Sequence, residues 1–154
     1  MNDNRQQITP TRVRIAAMDL LARREYSRKG LTEKLEKRFE EKALISQVLD
    51  RLQEDGLQSD QRFTEAFVRS RLYRGHGLQR IRMDLCQKGV SDSLLTEVVN
   101  LLDIDWYSQA RDVAQKKFGA LPPVDAKEKA KRVRFMKYRG FSFDQIDYAL
   151  KSEN

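Results

Sequence analysis

One pattern of apolar and basic residues occurs three times along this chain, and it constrains the fold more than any other feature. Leu35, Leu85 and Met136 occupy the same position in three segments that are offset by 50 and then 51 residues. Because matching columns at a nearly constant offset rarely arise by chance, the chain is predicted to contain three tandem repeats. Further positions of the three segments align at the same offsets: Ile45 with Leu95 and Ile146, Leu49 with Val99 and Leu150, and Arg38 with Lys88 and Arg139.

Each repeat is predicted to fold into three short helices. In the first repeat, the apolar residues from Val13 to Leu21 recur at the three-and-four spacing of an amphipathic helix. A second helix is predicted to carry Leu31, Leu35 and Phe39, and a third to end near Gly56. The alternation typical of a half-buried strand is not found. The other predicted helices centre on residues 63–73, 78–88, 91–102, 106–118, 126–139 and 142–150.

These helices predict an all-α protein whose three tandem three-helix repeats stack into an elongated, curved array. Stacking is expected because a unit this small buries too little apolar surface by itself to offset the entropy of ordering its chain. The predicted boundaries are a flexible N-terminal tail at residues 1–11 and repeats at residues 12–57, 58–103 and 104–154.

Glycine and serine mark the joints inside the second and third repeats. Gly89 and Gly140 follow the middle helices, where a left-handed residue ends a helix at low cost. Ser91 and Ser142 then occupy cap positions at the start of the next helices. The first repeat has Phe39 and Glu41 in these columns, so its joint is expected to be built differently.

The composition favours a cytoplasmic protein that binds a polyanion. Charged residues make up 34% of the chain, and no apolar run approaches the roughly 20 residues of a membrane-spanning helix. The single cysteine, Cys86, cannot form an internal disulfide. The net charge of +7 implies nucleic acid, a nucleoprotein or an acidic protein surface as the partner.

The excess positive charge is concentrated in the second and third repeats. Residues 69–88 contain only Asp84 as an acidic residue, and residues 127–139 contain only Glu128. Arginine predominates in the first of these clusters, which suits bidentate contact with phosphate or carboxylate. A solvated basic surface without a partner is the alternative interpretation. The candidate binding residues are Arg69, Arg71, Arg74, Arg80, Arg82, Lys88, Lys131, Arg132, Arg134 and Arg139.

No combination of residues predicts catalysis, a cofactor or a metal. The segment Gly75–His76–Gly77 lacks the strand and the Lys-Ser/Thr ending of a phosphate-binding loop, so a flexible hinge is the preferred interpretation. His76 and Cys86 are each the only residue of their kind, which is too few for a zinc site. Asp103 and Asp105 are explained by helix capping. The chain is therefore expected to act by binding and to be no enzyme.

Several segments resemble the RecX family of regulatory proteins. They are residues 21–27 (LARREYS), 60–63 (DQRF), 67–71 (FVRSR), 75–91 (GHGLQRIRMDLCQKGVS) and 139–142 (RGFS). The resemblance extends from about Val13 to Leu150. The chain departs from the family pattern at Gly30, where the family often has Glu, and at Leu78, where it often has Pro.

This resemblance implies a cytoplasmic modulator of the RecA recombinase, acting in homologous recombination, DNA repair and the SOS response. Proteins of the family bind the RecA–DNA filament in its helical groove and inhibit its recombinase, ATPase and co-protease activities. The expected partner is thus the RecA nucleoprotein filament, bound by a monomer without a cofactor. Alternatives are a stand-alone DNA-binding protein that uses its basic face directly and a helical scaffold for another protein. Binding is expected to be concentrated in the second and third repeats.

Overall fold

A computed structural model describes residues 7–151, and those residues are helical almost throughout. No strand occurs within them, so the prediction of an all-α fold is confirmed. The predicted helices of the second and third repeats agree with the structure to within a few residues. The helices of the described chain are α1 (Pro10–Arg23), α2 (Arg28–Glu36), α3 (Lys42–Glu54), α4 (Asp60–Tyr73), α5 (Leu78–Gln87), α6 (Asp92–Leu102), α7 (Trp106–Phe118), α8 (Ala126–Arg139) and α9 (Phe143–Leu150).

The helices are distributed over two compact units. The first unit runs to Thr64 and includes Lys88–Val90, and the second comprises Glu65–Gln87 and the chain from Ser91 onward. Of the predicted N-terminal tail, residues 1–6 lie outside the described residues. Residues 10 and 11 are already helical, because the hydroxyl of Thr9 accepts a hydrogen bond from the Arg12 N–H at 3.3 Å and so caps α1.

The first unit has an apolar core of its own. The helices α1, α2 and α3 each have apolar residues at every third or fourth position, and these residues face the core. Phe39, predicted to lie on α2, follows its end at Glu36 but is still buried. The buried residues of this cluster are Val13, Ala16, Ala17, Tyr26, Leu31, Leu35, Phe39, Ile45, Val48, Leu49 and Leu52.

The joint between the second and third helix differs between the repeats, as predicted. In the first repeat, Glu41 precedes α3 and makes no side-chain capping hydrogen bond. In the second, the Ser91 hydroxyl accepts from the Leu94 N–H at 3.2 Å. In the third, Ser142 and Gln145 form a reciprocal capping box, with bonds of 2.9 and 3.3 Å. The predicted serine caps are therefore confirmed.

Several charged side chains on the surface of the first unit form ion pairs, in agreement with the charge balance of its sequence. All of them are at least partly exposed, so each adds little stability. They join Arg28 to Asp50 at 2.6 Å, Arg14 to Asp55 at 3.2 Å, Arg62 to Glu25 at 3.0 Å and Arg51 to Asp55 at 3.6 Å.

In the second unit, α7 packs against α9 through small side chains. Ala110 and Ala114 of α7 and Ala149 of α9 are buried, and residues this small let the two helices approach closely. Phe141 and Ile146, which the sequence predicts to form a hydrophobic staple, lie in the same buried cluster.

The longest connection between the described helices, residues 119–125, joins α7 to α8 and contains the two consecutive prolines. It ends at Asp125, whose carboxylate accepts from the Glu128 N–H at 2.8 Å and caps α8.

Candidate functional site

The structure separates the predicted basic residues into three classes of exposure. Arg69, Arg74, Arg82, Lys88, Lys131 and Arg134 are exposed, Arg71, Arg80 and Arg139 are half-buried, and Arg132 is buried. Lys88 belongs to the first unit and the others to the second. The candidate site is therefore built from the second unit.

The start of α5 is joined directly to the end of α8. The Gly77 N–H donates to the Arg139 carbonyl oxygen at 2.7 Å, and the Gln79 N–H donates to the Gly140 carbonyl oxygen at 3.1 Å. The first turn of a helix has N–H groups without partners inside the helix, and the last turn has such carbonyls. The N–H groups at the start of α5 and the carbonyl groups at the end of α8 thus satisfy one another. The negative end of the α8 dipole therefore meets the positive end of the α5 dipole.

This joint brings three of the predicted arginines together. The Arg139 guanidinium donates to the Arg74 carbonyl oxygen at 2.7 Å. The Arg80 guanidinium lies 4.8 Å from the ring centroid of Tyr138 and 3.5 Å from the Tyr138 carbonyl oxygen. Arg74, Arg80 and Arg139 therefore form one cluster, in which backbone carbonyls and an aromatic ring hold the Arg80 and Arg139 guanidinium groups and the Arg74 side chain is exposed.

Two glycines make the close approach of α5 and α8 possible. A Cβ at Gly77 would lie 2.5 Å from the Gly140 carbonyl oxygen, and a Cβ at Gly140 would lie 2.5 Å from the Arg80 nitrogen. Gly140 also has a φ of 100°, which side chains disfavour. The interpretation of Gly75–His76–Gly77 as a flexible hinge is therefore wrong, because the segment is hydrogen-bonded and packed against backbone.

Two more predicted arginines have acidic partners within the second unit. Arg71 lies 3.5 Å from the Asp84 carboxylate, and its guanidinium is 4.6 Å from the Phe67 ring centroid. Arg82 lies 3.4 Å from the Asp92 carboxylate, in a more exposed pair. Arg71 is thus half-buried and held in place, whereas Arg82 remains accessible to a partner.

His76 lies among these arginines and is buried, which the sequence does not predict. Burial, together with the positive charges of Arg80, Arg71 and Arg139, lowers the pKa of its imidazole to about 4, against an opposing effect of Asp84. Its Nδ1 finds no hydrogen-bond partner within the described residues. Near neutral pH the ring is uncharged, so it adds no positive charge to the cluster.

Arg132 is buried, with only 6% of its surface exposed. Its guanidinium donates to the Leu121 carbonyl oxygen at 2.8 Å, pairs with Glu128 at 2.5 Å, and lies 5.1 Å from the Phe118 ring centroid. The hydrogen bond from Arg132 lowers the pKa of the Glu128 carboxyl, and a bond from the Val124 N–H contributes. Arg132 therefore stabilises the connection between α7 and α8, contrary to its predicted role in binding.

Lys131 and Arg134 lie in the middle of α8, where they line a shallow depression with Lys127. At 1.5 Å per residue, Arg134 lies about 7 Å along the helix axis from Arg139. The structure thus places these two candidates on the same helix as Arg139 but outside the arginine cluster.

Two lysines near the cluster were not among the predicted binding residues. Lys116 and Lys117 occupy the last turn of α7, where positive charge is favourable beside the helix C-terminus. Together with Arg74 and Arg139 they line a groove of about 270 Å³. The signal in the sequence is a pair of adjacent lysines, but only the fold brings them beside a residue more than forty positions earlier in the chain.

None of the helices between residues 7 and 151 combines enough length with enough apolar character to span a bilayer. Within the same residues, no group of histidine, cysteine and carboxylate side chains has the arrangement of a metal site.

The fold defines an all-helical protein of tandem three-helix domains. Two family models match the chain: the second three-helix domain of RecX over residues 59–99 and the third over residues 103–150. The chain belongs to the RecX family of regulatory proteins.

Relatives and solved structures agree with this assignment. The regulatory protein RecX of Ectopseudomonas mendocina is 46% identical over 142 residues, which cover 92% of this chain and 95% of the relative. That of Halorhodospira halophila is 44% identical over 134 residues, covering 87% of this chain and 83% of the relative. The crystal structure of RecX from Lactobacillus salivarius shares the fold with a TM-score of 0.76 at 21% identity, covering 91% of this chain and 93% of that one.

Proposed function

We propose that this chain binds the RecA–DNA filament in its groove and thereby inhibits the recombinase, ATPase and co-protease activities of RecA. Its membership of the RecX family supports the proposal, because the family resemblance in its sequence implies this partner. The observation that carries it is the arginine cluster at the joint of α5 and α8, with exposed Arg69, Arg74 and Arg82 nearby in the chain.

The physical argument begins with what a nucleoprotein filament presents to a partner. Its groove exposes DNA phosphates and the carboxylates of the protein coat, and arginine forms bidentate hydrogen bonds with both groups. The joint of α5 and α8 fixes the backbone that carries these arginines. Less conformational entropy is then lost on binding than for cations on a flexible loop.

Inhibition follows if the bound chain contacts neighbouring RecA protomers at once. Nucleotide turnover and filament growth require those protomers to move relative to one another. A ligand that binds one arrangement of the protomers more tightly than another shifts the population toward the arrangement that it prefers. The size of the shift is set by the difference between its two affinities. We propose this as the origin of inhibition.

The test compares binding to RecA-coated single-stranded DNA with binding to bare DNA over a series of salt concentrations. Arg69→Glu with Arg74→Glu should weaken filament binding and relieve inhibition of the RecA ATPase. Arg71 is left unchanged, because its ion pair with Asp84 would confound binding with folding. The matched control is Lys37→Glu with Lys42→Glu, which changes the charge equally on exposed residues of the first unit.

Two outcomes would contradict the proposal. If both double variants bind the filament equally well, the arginine surface is merely solvated. If the wild-type protein binds bare DNA as tightly as the coated filament at every salt concentration, the chain is a stand-alone DNA-binding protein. Binding to DNA alone would fall steeply with salt because counterions are released from the phosphates.

A further inference from the structure

The groove beside the arginine cluster has features that the proposed function does not use. The end of α4, the last turns of α7 and the end of α8 enclose its volume of about 270 Å³. All of these segments belong to the second unit. The polar and aromatic side chains that matter for its chemistry are Tyr73, Arg74, Lys116, Lys117, Phe135 and Arg139.

The groove is basic, with three side chains available to a ligand. Arg74, Lys116 and Lys117 are exposed, whereas the Arg139 guanidinium is already bound to the Arg74 carbonyl oxygen. The Lys117 ammonium lies 5.2 Å from the ring centroid of Phe135, which holds it against the groove wall. Asp112 is the acidic residue among those that line the groove. The remaining excess of positive charge indicates an anionic ligand.

Tyr73 distinguishes this groove from an ordinary patch of lysines. Its side chain is 94% exposed at the groove edge. Three other exposed aromatic rings of the second unit have a cation over them: Arg80 lies 4.8 Å from the Tyr138 centroid, Lys137 4.1 Å from Phe143 and Arg111 4.1 Å from Tyr148. The exposed ring of Tyr107 packs instead against that of Tyr148, at 5.5 Å between centroids. Among the described residues, no such cation covers Tyr73. Its ring is therefore open to stacking.

An open aromatic ring beside a row of cations is the arrangement that binds single-stranded nucleic acid. Such sites combine a positive groove along the phosphates with aromatic rings on which bases stack. An acidic peptide would pair with the lysines but would leave the tyrosine ring exposed to water. Duplex DNA has its bases stacked on one another and offers none to Tyr73. The nucleic-acid strand is thus favoured over both.

We infer that this groove binds a single-stranded nucleic acid, with phosphates on Arg74, Lys116 and Lys117 and one base stacked on Tyr73. For the source of the strand the inference rests on the proposed function, because that strand would be the DNA within the filament. In this arrangement the groove contacts the DNA, and Arg69 and Arg82 contact the protein coat of the filament.

The first test uses a fluorescein-labelled oligothymidylate and the full-length protein, with affinity measured by fluorescence anisotropy. Tyr73→Ala should weaken binding about 5-fold or more, which is the usual loss when one stacked base is removed. Tyr73→Phe keeps the ring and should bind as the wild type does. Since Tyr73 is almost fully exposed, neither change should affect folding.

The salt dependence distinguishes phosphate contacts from stacking. Lys116→Gln with Lys117→Gln should reduce the slope of log affinity against log salt by about 1.4, since each contact with a single strand contributes about 0.7. Tyr73→Ala should leave this slope unchanged. Lys37→Gln with Lys42→Gln, the same charge change in the first unit, should alter neither affinity nor slope. Asp112→Asn should tighten binding by removing the carboxylate from the groove.

A crosslinking experiment gives a direct readout. An oligonucleotide carrying 5-iodouracil should crosslink on irradiation to the peptide that contains Tyr73, as identified by mass spectrometry. Crosslinks confined to the first unit would overturn the inference. It would also be overturned if the wild-type protein does not bind the oligonucleotide, or if Tyr73→Ala binds it equally well.

Filament binding, measured in parallel, keeps the two proposals separate. If Tyr73→Ala and the lysine variant match the wild type on the oligonucleotide while the wild type still binds RecA-coated DNA, the groove assignment fails and the proposed function stands. If oligonucleotide binding depends on Tyr73 but the wild type shows no preference for the filament, the proposed function fails and the groove still binds a strand.

Discussion

The backbone N–H of Gly77 and the carbonyl oxygen of Arg139 are joined by a hydrogen bond of 2.7 Å, which connects the start of α5 to the end of α8. The bond lies between residues of different repeats that are more than sixty positions apart in the chain. The arginine cluster is built around it, since Arg139 also reaches the Arg74 carbonyl oxygen. The geometry of the candidate site therefore depends on contacts between repeats within the second unit.

Gly77→Ala should destabilise this joint. The added Cβ would lie 2.5 Å from the Gly140 carbonyl oxygen, and backbone cannot move aside as a flexible side chain can. We expect a loss of about 1–3 kcal/mol in the free energy of unfolding, typical of overpacking, as measured by urea denaturation. Gly56→Ala is the control, because a Cβ there meets no atom within 4 Å and the cost is limited to its φ of 74°. Equal stability of Gly77→Ala and the wild type would contradict the close approach.

Replacement by alanine should destabilise the protein much more at Arg132 than at Arg134. Arg132→Ala removes the hydrogen bond to Leu121 and the ion pair with Glu128, so it should destabilise the protein by about 1.5–3 kcal/mol. Arg134 is exposed, and Arg134→Ala should change stability by less than about 0.5 kcal/mol. Thermal unfolding followed by circular dichroism measures both. A larger effect at Arg134 than at Arg132 would refute the structural role of Arg132.

His76 should make the second unit less stable in mild acid. Its pKa is about 4 in the folded protein against 6.5 in an unfolded chain, so between these values the unfolded state binds the extra proton. The free energy of unfolding therefore decreases as the pH falls through this window. His76→Gln lacks this contribution and should lose less stability than the wild type between about pH 7 and about pH 5.

The groups that surround His76 make the comparison interpretable. Arg71, Arg80 and Arg139 stay charged throughout this range, and Asp84 is common to both proteins. Chemical denaturation at the two pH values gives the difference. Identical pH dependence in wild type and His76→Gln would show that burial of this imidazole does not perturb its titration.

Leu85 and Met83 provide a test of the core on one helix. Leu85 is 1% exposed on α5, whereas Met83 is 67% exposed two residues earlier. Leu85→Asp loses an apolar side chain from the interior and buries an unpaired carboxylate, so it should cost about 3 kcal/mol or more. Met83→Asp should cost less than about 1 kcal/mol. Similar unfolding midpoints for the two variants would contradict the assignment of Leu85 to the core column of the repeat.

The sequence predicts well those features that depend on residues near one another in the chain. The cap at Ser142 and the left-handed end of α8 at Gly140 are local, and both were predicted correctly. Apolar periodicity likewise places the helices to within a few residues, because each helix buries one stripe of side chains.

Features that depend on tertiary packing were not predictable in this way. Arg132 is indistinguishable in the sequence from the exposed Arg134, and only the fold of residues 119–125 over α8 buries it. His76 is enclosed because α8 ends beside it, and Tyr73 faces a groove formed by helices from two repeats. The distribution of charge in the sequence does not separate cations that stabilise the fold, such as Arg132, from cations that remain exposed, such as Arg134.

The contact between Gly77 and Gly140 also limits how the repeats can be exchanged. Each glycine leaves room for backbone contributed by a different repeat, so neither position can be judged from its own repeat alone. A chimera that took the second repeat from one relative and the third from another would need both glycines to be present together. The second and third repeats therefore have to be compatible with each other. The smallest unit that can be exchanged at this end of the chain is the two repeats together.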